Sequence, residues 1–437
     1  MKCPISLKVH DMKYVSGSRD VLTNIDEEAV PIVLFDRVSS KYISVGTSII
    51  KDLFRKRLKP DPVAWDLLAI ALSVIAADGA TRRKNSSDGW TRQFELKVTL
   101  YDSEAWSSCV DLLSSALAFL TTDQWQIEFC GGGELCIPLM QEQLFYPQAD
   151  AVILLSGGLD SLIGAIDFVE KGKKLFPVSQ IVRGDAEKQR RFAEIIGTGT
   201  EHLQLNHGLS ISHSSKEVTQ RSRSFLFIAY AVLAATSTER YQHGERVPIY
   251  ICENGFIAIN PPLTNARIGS LSTRTTNPEF LGRMQDIFDA VGLRLTIINP
   301  YLERTKGEML QECLNQEILY SQAFKSTSCG RFQRFKYQHC GRCLPCQIRR
   351  AAFIKWGCSD ATEYVYENLG ISDKDHARFD DVRSVALARL VAEEKGLEYW
   401  LGPVLSSPRI NNRPAVRKML LRGLDELGEL HSKYGVA

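Results

Sequence analysis

Nowhere in the 437 residues is there a stretch of about 18 uninterrupted apolar residues, the length that crosses a bilayer. The opening run, MKCPISLKVHDMKYVSG, has no long apolar segment after its charges, so a leader peptide is not expected and the chain reads as soluble and cytoplasmic. Charge of one sign is also scarce. Lys and Arg number 53 against 51 Asp and Glu, and a net charge of +2 excludes bulk attraction to nucleic acid or membrane, a local basic patch aside. With 44% hydrophobic and 24% charged residues, disorder is excluded too. Internal repeats and low-complexity tracts are absent. Eleven cysteines are too sparse and odd in number for a disulfide scaffold, yet four of them crowd between positions 329 and 346. That crowding points to metal ligation in a reducing compartment.

At this length one catalytic domain with additions is expected, because single domains cluster at roughly 100 to 200 residues. Residues 1–145 read as a separate α+β module. Leu67, Leu68, Ala71, Leu72 and Ile75 recur at helical spacing, whereas Phe94, Leu96, Val98 and Leu100 alternate with polar residues as a half-buried strand does. Trp106, Val110, Leu113, Leu117 and Leu120 mark a second helix. Trp125, Ile127 and Phe129 form another strand, broken by Gly131-Gly132-Gly133. No clustered chemistry is legible in this module, which leaves partner docking as its candidate role. The basic run Arg82-Arg83-Lys84 beside Asp88-Gly89-Trp90 reads as a solvated loop.

Residues 146–360 change texture to short apolar runs alternating with helical patterns, the signature of parallel β/α/β units. Strands are expected at Ala151 to Leu155, Leu175 to Ile181, His202 to Leu205, Val247 to Cys252 and Arg294 to Ile298, with helices between them. The implied fold class is α/β, a doubly wound, mostly parallel sheet whose ligands lie at the C-terminal ends of the strands. Residues 361–437 read as a helical cap or docking surface.

Between the first of these strands and its helix stands Ser156-Gly157-Gly158-Leu159-Asp160-Ser161. Backbone N–H groups there project at the positive end of the helix, and the two glycines let the backbone approach a phosphate chain without a Cβ in the way. Ser156 and Ser161 add hydroxyl donors; the Asp160 carboxylate fits a Mg²⁺ partner or a helix-start group. Gly-Lys-Ser/Thr is absent, so this is not a Walker A loop. SGGLDS after a buried strand resembles the PP-loop of the ATP pyrophosphatases, of adenine nucleotide alpha hydrolase-like (HUP) fold, which adenylate substrates and release pyrophosphate.

Cys329, Cys340, Cys343 and Cys346 follow the spacing C-x10-C-x2-C-x2-C, with Gly341 and Pro345 helping the chain fold back. Four thiolates suit a closed structural zinc site, with an iron–sulfur cluster as the alternative. His339 could replace a ligand; a solvated or outer role is the other reading. A PP-loop followed downstream by CGRCLPC and an Arg-rich helix, Gln347 to Trp356, resembles the 7-cyano-7-deazaguanine synthase (QueC) family. Arg223-Ser224-Phe225-Leu226-Phe227 resembles its Arg-Asn motif, and Thr305-Lys306-Gly307-Glu308-Met309 its Thr/Ser-Lys-x-Glu-Ile/Met segment. The resemblance spans residues 150 to 360.

What it implies is adenylation of 7-carboxy-7-deazaguanine at its carboxylate, with ATP, Mg²⁺ and a structural Zn²⁺. Attack by ammonia then gives an amide, and a second ATP-dependent step a nitrile. Lys306 and Arg223, beside Asp160, are the candidates for neutralising the departing pyrophosphate, with ordinary surface charge or helix-cap roles as their alternatives; His207 is a weaker one. The family's substrate segments are missing. Gln180-Ile181-Val182-Arg183-Gly184-Asp185 stands in one place, and Glu253-Asn254-Gly255 with Arg274-Thr275-Thr276-Asn277 in the other. Glu253 can read the donor edge of a guanine-like base and Arg274 a carboxylate or phosphate; salt-bridge and capping roles are equally open. The added N- and C-terminal segments resemble enlarged QueC-like proteins of Qat-type anti-phage defence. That implies an amide to the N-terminus of a partner protein in place of a free nitrile. A tRNA-modifying enzyme, for which Cys252 is the one tempting thiol, and a non-catalytic nucleotide-binding scaffold are the remaining alternatives.

Overall fold

The computed structural model describes residues 12–24, 28–36, 42–135, 144–197, 201–211, 216–217, 221–263, 274–371 and 380–436. The strands are β1 (Met12–Gly17), β2 (Val30–Leu34), β3 (Ile43–Val45), β4 (Gln93–Thr99), β5 (Gln124–Cys130), β6 (Ala151–Leu154), β7 (Leu175–Gln180), β8 (Leu203–Leu205), β9 (Val247–Tyr250) and β10 (Leu295–Ile298). The principal helices are α1 (Pro62–Ala80), α2 (Val110–Thr121), α3 (Leu159–Glu170), α4 (Ala186–Ile195), α5 (Arg223–Thr236), α6 (Pro278–Ala290), α7 (Lys306–Glu312), α8 (Leu344–Trp356), α9 (Asp381–Lys395) and α10 (Arg413–Lys433). They build two five-stranded sheets, ordered β3-β2-β1-β4-β5 and β10-β9-β6-β7-β8.

The chain divides into two compact units, one of Met1–Gln148, Gln204–Val247 and Arg283–Thr296, the other of Ala149–Leu203, Pro248–Gly282 and Ile297–Ala437. In the first unit every strand pair of the sheet is parallel, so this part is α/β where the sequence suggests α+β. The alternation in β5, buried at Trp125 and Ile127, reports an edge strand with one covered face and carries no information about strand direction. Helix α1 starts under Asp61, whose side chain accepts the Val63 N–H at 2.9 Å, with Pro62 in its first turn. By length and composition α1 would cross a membrane, but it is almost wholly buried, packing on β4 and α5 as the core helix of the unit. Its last turn meets a charge network. Arg92, at the entrance to β4 and 2% exposed, donates to Asp78 at 2.5 Å and to Asp123 at 2.6 Å. Arg83 forks onto Asp123 at 2.8 and 2.9 Å, so the basic run is structural at this position and not a solvated loop.

In the second unit β6 pairs in parallel with β7 on one side and β9 on the other. Its residues Ala151 to Leu154 are buried on both faces, which is why they read as a continuous apolar run. Ile153, Leu155, Leu159, Leu162, Ile163 and Ile166 form the core under the strand-to-helix turn. A second core joins α8, α9 and α10 through Leu344, Ile348, Val385, Met419, Leu420 and Leu427.

Candidate active site and metal centre

The turn after β6 is shaped by Gly157, whose φ of +86° lies in the left-handed region that a side chain disfavours. Gly158 is the N-cap of α3. The first α3 amide to return to a carbonyl is that of Leu162, donating to Gly158 O at 3.2 Å, so the N–H groups of Leu159, Asp160 and Ser161 are those that a helix leaves for an outside acceptor. The Ser156 and Ser161 hydroxyls are 3.1 Å apart; Ser156 Oγ accepts the Gly158 N–H at 3.2 Å and Ser161 donates to Gly158 O at 3.0 Å. The loop is therefore preorganised by its own serines.

Two residues that sequence reasoning passed over hold the loop from outside, and a third acts through one of them. Thr327 donates its N–H to Gly157 O at 3.0 Å. Gln189, 1% exposed, donates to Ser156 O at 3.1 Å. Lys188 reaches Thr327 Oγ1 at 2.5 Å while its ammonium lies 4.3 Å from the Phe332 ring centroid; burial lowers its pKa. The signal for Lys188 and Gln189 was hidden because they stand on α4, within the stretch between Ser179 and Arg191 where the resemblance lapses.

Asp160 and Lys306, distant in sequence, form a buried ion pair. Asp160 also accepts the Asn254 side-chain N–H at 2.7 Å and its backbone N–H at 3.1 Å. Burial alone would raise the carboxyl, but the Lys306 charge and the hydrogen bonds donated by Lys306 and Asn254 outweigh it and hold Asp160 well below the usual carboxylate range. Asn254 donates to Glu253 Oε1 at 3.0 Å and caps the turn Gly255–Ile259 through the Ile257 N–H at 3.0 Å. Asn299 Nδ2 donates to Glu253 O at 2.9 Å. Glu253 therefore stands just past the C-terminal end of β9, next to β6, where open α/β sheets place their ligands. Lys306 opens α7, whose N-cap Thr305 forms a reciprocal capping box with Glu308.

Arg274 is half-buried in the turn before α6, and burial lowers its pKa. Arg223 opens α5 in the other compact unit, where its charge adds to burial in pushing the His207 imidazole down to about 4. Cys252 is buried, and a Cβ on Gly164 would fall 2.2 Å from its Sγ. Burial and the neighbouring carboxylates push this thiol well above its ordinary value, the opposite of an activated cysteine.

The four cysteines Cys329, Cys340, Cys343 and Cys346 are all buried with their Sγ atoms within 4.8 Å of one another. Cys329 and Cys343 are 3.8 Å apart and Cys340 and Cys346 3.9 Å. Sulfurs bound at about 2.3 Å to a tetrahedral ion stand about 3.8 Å apart, so the donor set fits zinc. Backbone N–H groups of Arg331 and Cys340 point at Cys329 Sγ, at 3.3 and 3.4 Å, and that of Cys343 at Cys340 Sγ, at 3.2 Å. Gly341, with φ +84°, makes the knuckle, and a Cβ there would come 2.4 Å from Tyr366 O. His339 is buried and its Nε2 accepts the Ser328 N–H at 3.1 Å, which commits that nitrogen to the backbone and not to solvent or the metal. Arg349 and Arg350 are buried on α8 and donate to Ala323 O at 2.7 Å and Glu367 O at 2.6 Å.

No family model matches the chain. Half of it is nevertheless similar to curated enzymes of one kind. The 7-cyano-7-deazaguanine synthase of Methanococcus aeolicus is 24% identical over 237 residues, 49% of this chain and 99% of that enzyme. Those of Alteromonas mediterranea and Pseudoalteromonas translucida are 23% and 25% identical, each over 49% of this chain, covering 98% and 97% of their own lengths.

Proposed function

We propose that the protein adenylates the carboxylate of 7-carboxy-7-deazaguanine, or a close analogue, and passes the acyl group to an amine. The observation that carries this reading is the buried Asp160–Lys306 pair joined through Asn254 to Glu253, between the Ser156–Ser161 loop and the end of β9. The substrate carboxylate attacks the α-phosphorus of ATP, pyrophosphate leaves, and the amine then displaces AMP to give an amide. A carboxylate is a poor acyl donor because oxide would have to leave; AMP replaces oxide. The loop amides and Lys306 face the charge that builds on pyrophosphate, and Glu253 is the candidate for the donor edge of the base. Arg223 and Arg274 remain candidates for phosphate or carboxylate contact. Both Asp160 oxygens already accept hydrogen bonds, so its role in this reading is to hold Lys306 and Asn254, while Mg²⁺ would neutralise the ATP phosphates.

The acceptor we favour is the N-terminal amine of a partner protein in a Qat-type anti-phage system, in a cytoplasmic setting, with residues 1–145 as the docking module, 146–360 as the catalytic domain and 361–437 as a helical addition. The names of the relatives favour the second reading, free nitrile formation with ammonia. The tRNA-thiolation reading is disfavoured by the buried, high-pKa Cys252. Incubation with ATP and 7-carboxy-7-deazaguanine, with and without co-encoded proteins, followed by mass spectrometry of small molecules and proteins, separates these outcomes. Pyrophosphate release that depends on the acid, with a mass increment on a partner N-terminus, is expected. A free nitrile would transfer the conclusion to the second reading, and ATP binding without AMP formation would remove both.

A further inference from the structure

The first compact unit has an arrangement of its own that invites a ligand. In the sheet β3-β2-β1-β4-β5, the chain runs outward from β1 through β2 to β3 on one side, and from β4 to β5 on the other. The boundary between β1 and β4 is therefore a switch point, the place where a parallel α/β sheet opens a crevice at the C-terminal ends of its strands. A cavity of ≈ 440 Å³ lies there, bordered by Gly17 at the end of β1, Thr99 at the end of β4, Leu34 at the end of β2 and Trp65 of α1. That size suits a small organic molecule.

The lining selects its chemistry. Among its lining residues are four acidic ones, Asp20, Asp36, Asp66 and Glu134, and one arginine, Arg19. After β1 the chain enters the short turn Val21–Asn24. Asp66 is 1% exposed and fixed by backbone N–H donors, Tyr101 at 2.8 Å and Asp102 at 3.0 Å, one on each oxygen. Each oxygen retains a further acceptor site. Phe35 is held at φ +63°, a conformation that bulky residues seldom adopt, with its N–H on Val45 O at 2.8 Å. Its ring stacks on Trp65 with centroids 4.9 Å apart and planes 25° from parallel. The Ser18 hydroxyl at the wall is buried with no hydrogen-bond partner among the described residues. An orphaned hydroxyl, a pinned buried carboxylate and a fixed aromatic pair thus share one concave site with a net negative lining.

We propose that this cavity is a binding site for a small organic cation with an aromatic or apolar body, such as a primary arylalkylamine. Its ammonium is paired with the carboxylates and its body lies against Phe35, Trp65 and Tyr101. The site shares no residue with the Ser156–Ser161 loop and does not depend on the reaction proposed above.

Calorimetric titration of the full chain with two probes of nearly equal shape tests it: tyramine, and 3-(4-hydroxyphenyl)propanoate, which carries a carboxylate in place of the ammonium. Tyramine is expected to bind and the propanoate to give no heat of binding. The doubly substituted Asp36→Asn, Glu134→Gln protein removes two exposed rim charges and is expected to lose about tenfold or more in tyramine affinity at unchanged melting temperature. Absence of tyramine binding at millimolar concentration, equal binding of the propanoate, or undiminished affinity in the double variant would each overturn the proposal. The last of these would place the amine elsewhere on the molecule.

Discussion

Asp160 and Lys306 lie 146 positions apart, yet neither is properly solvated without the other. Removing one partner of such a buried pair leaves an uncompensated charge, which costs about 3–5 kcal/mol, whereas replacing both by neutral groups of similar size is close to neutral. Asp160→Ala is therefore expected to lower stability by that amount in urea titration, and Asp160→Asn with Lys306→Met to recover most of it. Under the proposed reaction, pyrophosphate release is expected to fall by about 10²-fold or more in both proteins, because the charge that Lys306 would offer the leaving group is lost or displaced in each. Recovery of stability without activity distinguishes a catalytic lysine from a structural one. The Asp160 carboxyl is held below its ordinary pKa, so its contribution is complete above about pH 4 and is lost as pH falls through the folded value. Any acidic limb of activity between about pH 5 and 7 must then come from another group.

At the scale of elements, α7 is seven residues long and too short to persist alone, so what holds its N-terminus also holds Lys306. Helix α10 supplies that hold: Glu426 takes the Thr305 hydroxyl, and Arg422 the Glu308 carboxylate, which are the two members of the capping box. Burial pushes the Glu426 carboxyl up to about 7, with the Thr305 hydrogen bond pulling it back and Glu308 adding to the rise. A raised acid binds its proton in the folded state while the unfolded chain has lost it, so stability falls as pH climbs from about 4.5 to 7 and remains lower above. Glu426→Gln is expected to match the parent at pH 4.5 and to exceed it at pH 8 by roughly 1 to 3 kcal/mol, read from denaturant midpoints. The cysteine segment acts at the same scale. Thr327, which closes the loop at Gly157, lies two positions before Cys329, so ordering of the cysteine segment and of the Ser156–Ser161 loop are linked. Elemental analysis is expected to find one zinc per chain; chelation should lower the melting temperature by roughly 5 °C or more and weaken ATP binding in the same titration.

Across the whole molecule, legibility followed the kind of order each part has. Strands β6, β7, β9 and β10 fall within two residues of their expected bounds; β6 and β7, buried on both faces, write themselves as apolar runs, and β9 and β10 are short runs of mostly apolar residues. The strand-to-helix turn at 156–161 and the meeting of the four cysteines were legible because each is local in sequence. Strands β1, β2 and β3, the parallel direction of the first sheet, and the Lys188–Thr327 and Asn254–Asp160 contacts were not, since each is set by partners far along the chain. The same holds for charge. A net charge of +2 conceals arginines that never meet solvent: Arg92, Arg342, Arg349 and Arg350 are each no more than 4% exposed. In the first unit Arg92 joins the end of α1, the start of β4 and the start of β5 through Asp78 and Asp123, and Asp78 in turn accepts the Ser222 hydroxyl at 2.5 Å. Arg92→Leu strands two buried carboxylates at once, although Arg83 remains on Asp123. Its expected cost is about 3–5 kcal/mol, largely insensitive to salt because the pair is screened from solvent, while Lys84→Ala in the neighbouring basic run should change stability by less than about 0.5 kcal/mol. Equal effects from the two substitutions, or a cost for Arg92→Leu that vanishes at about 1 M salt, would show that the network is a surface one and that the first unit is held together by its apolar core alone.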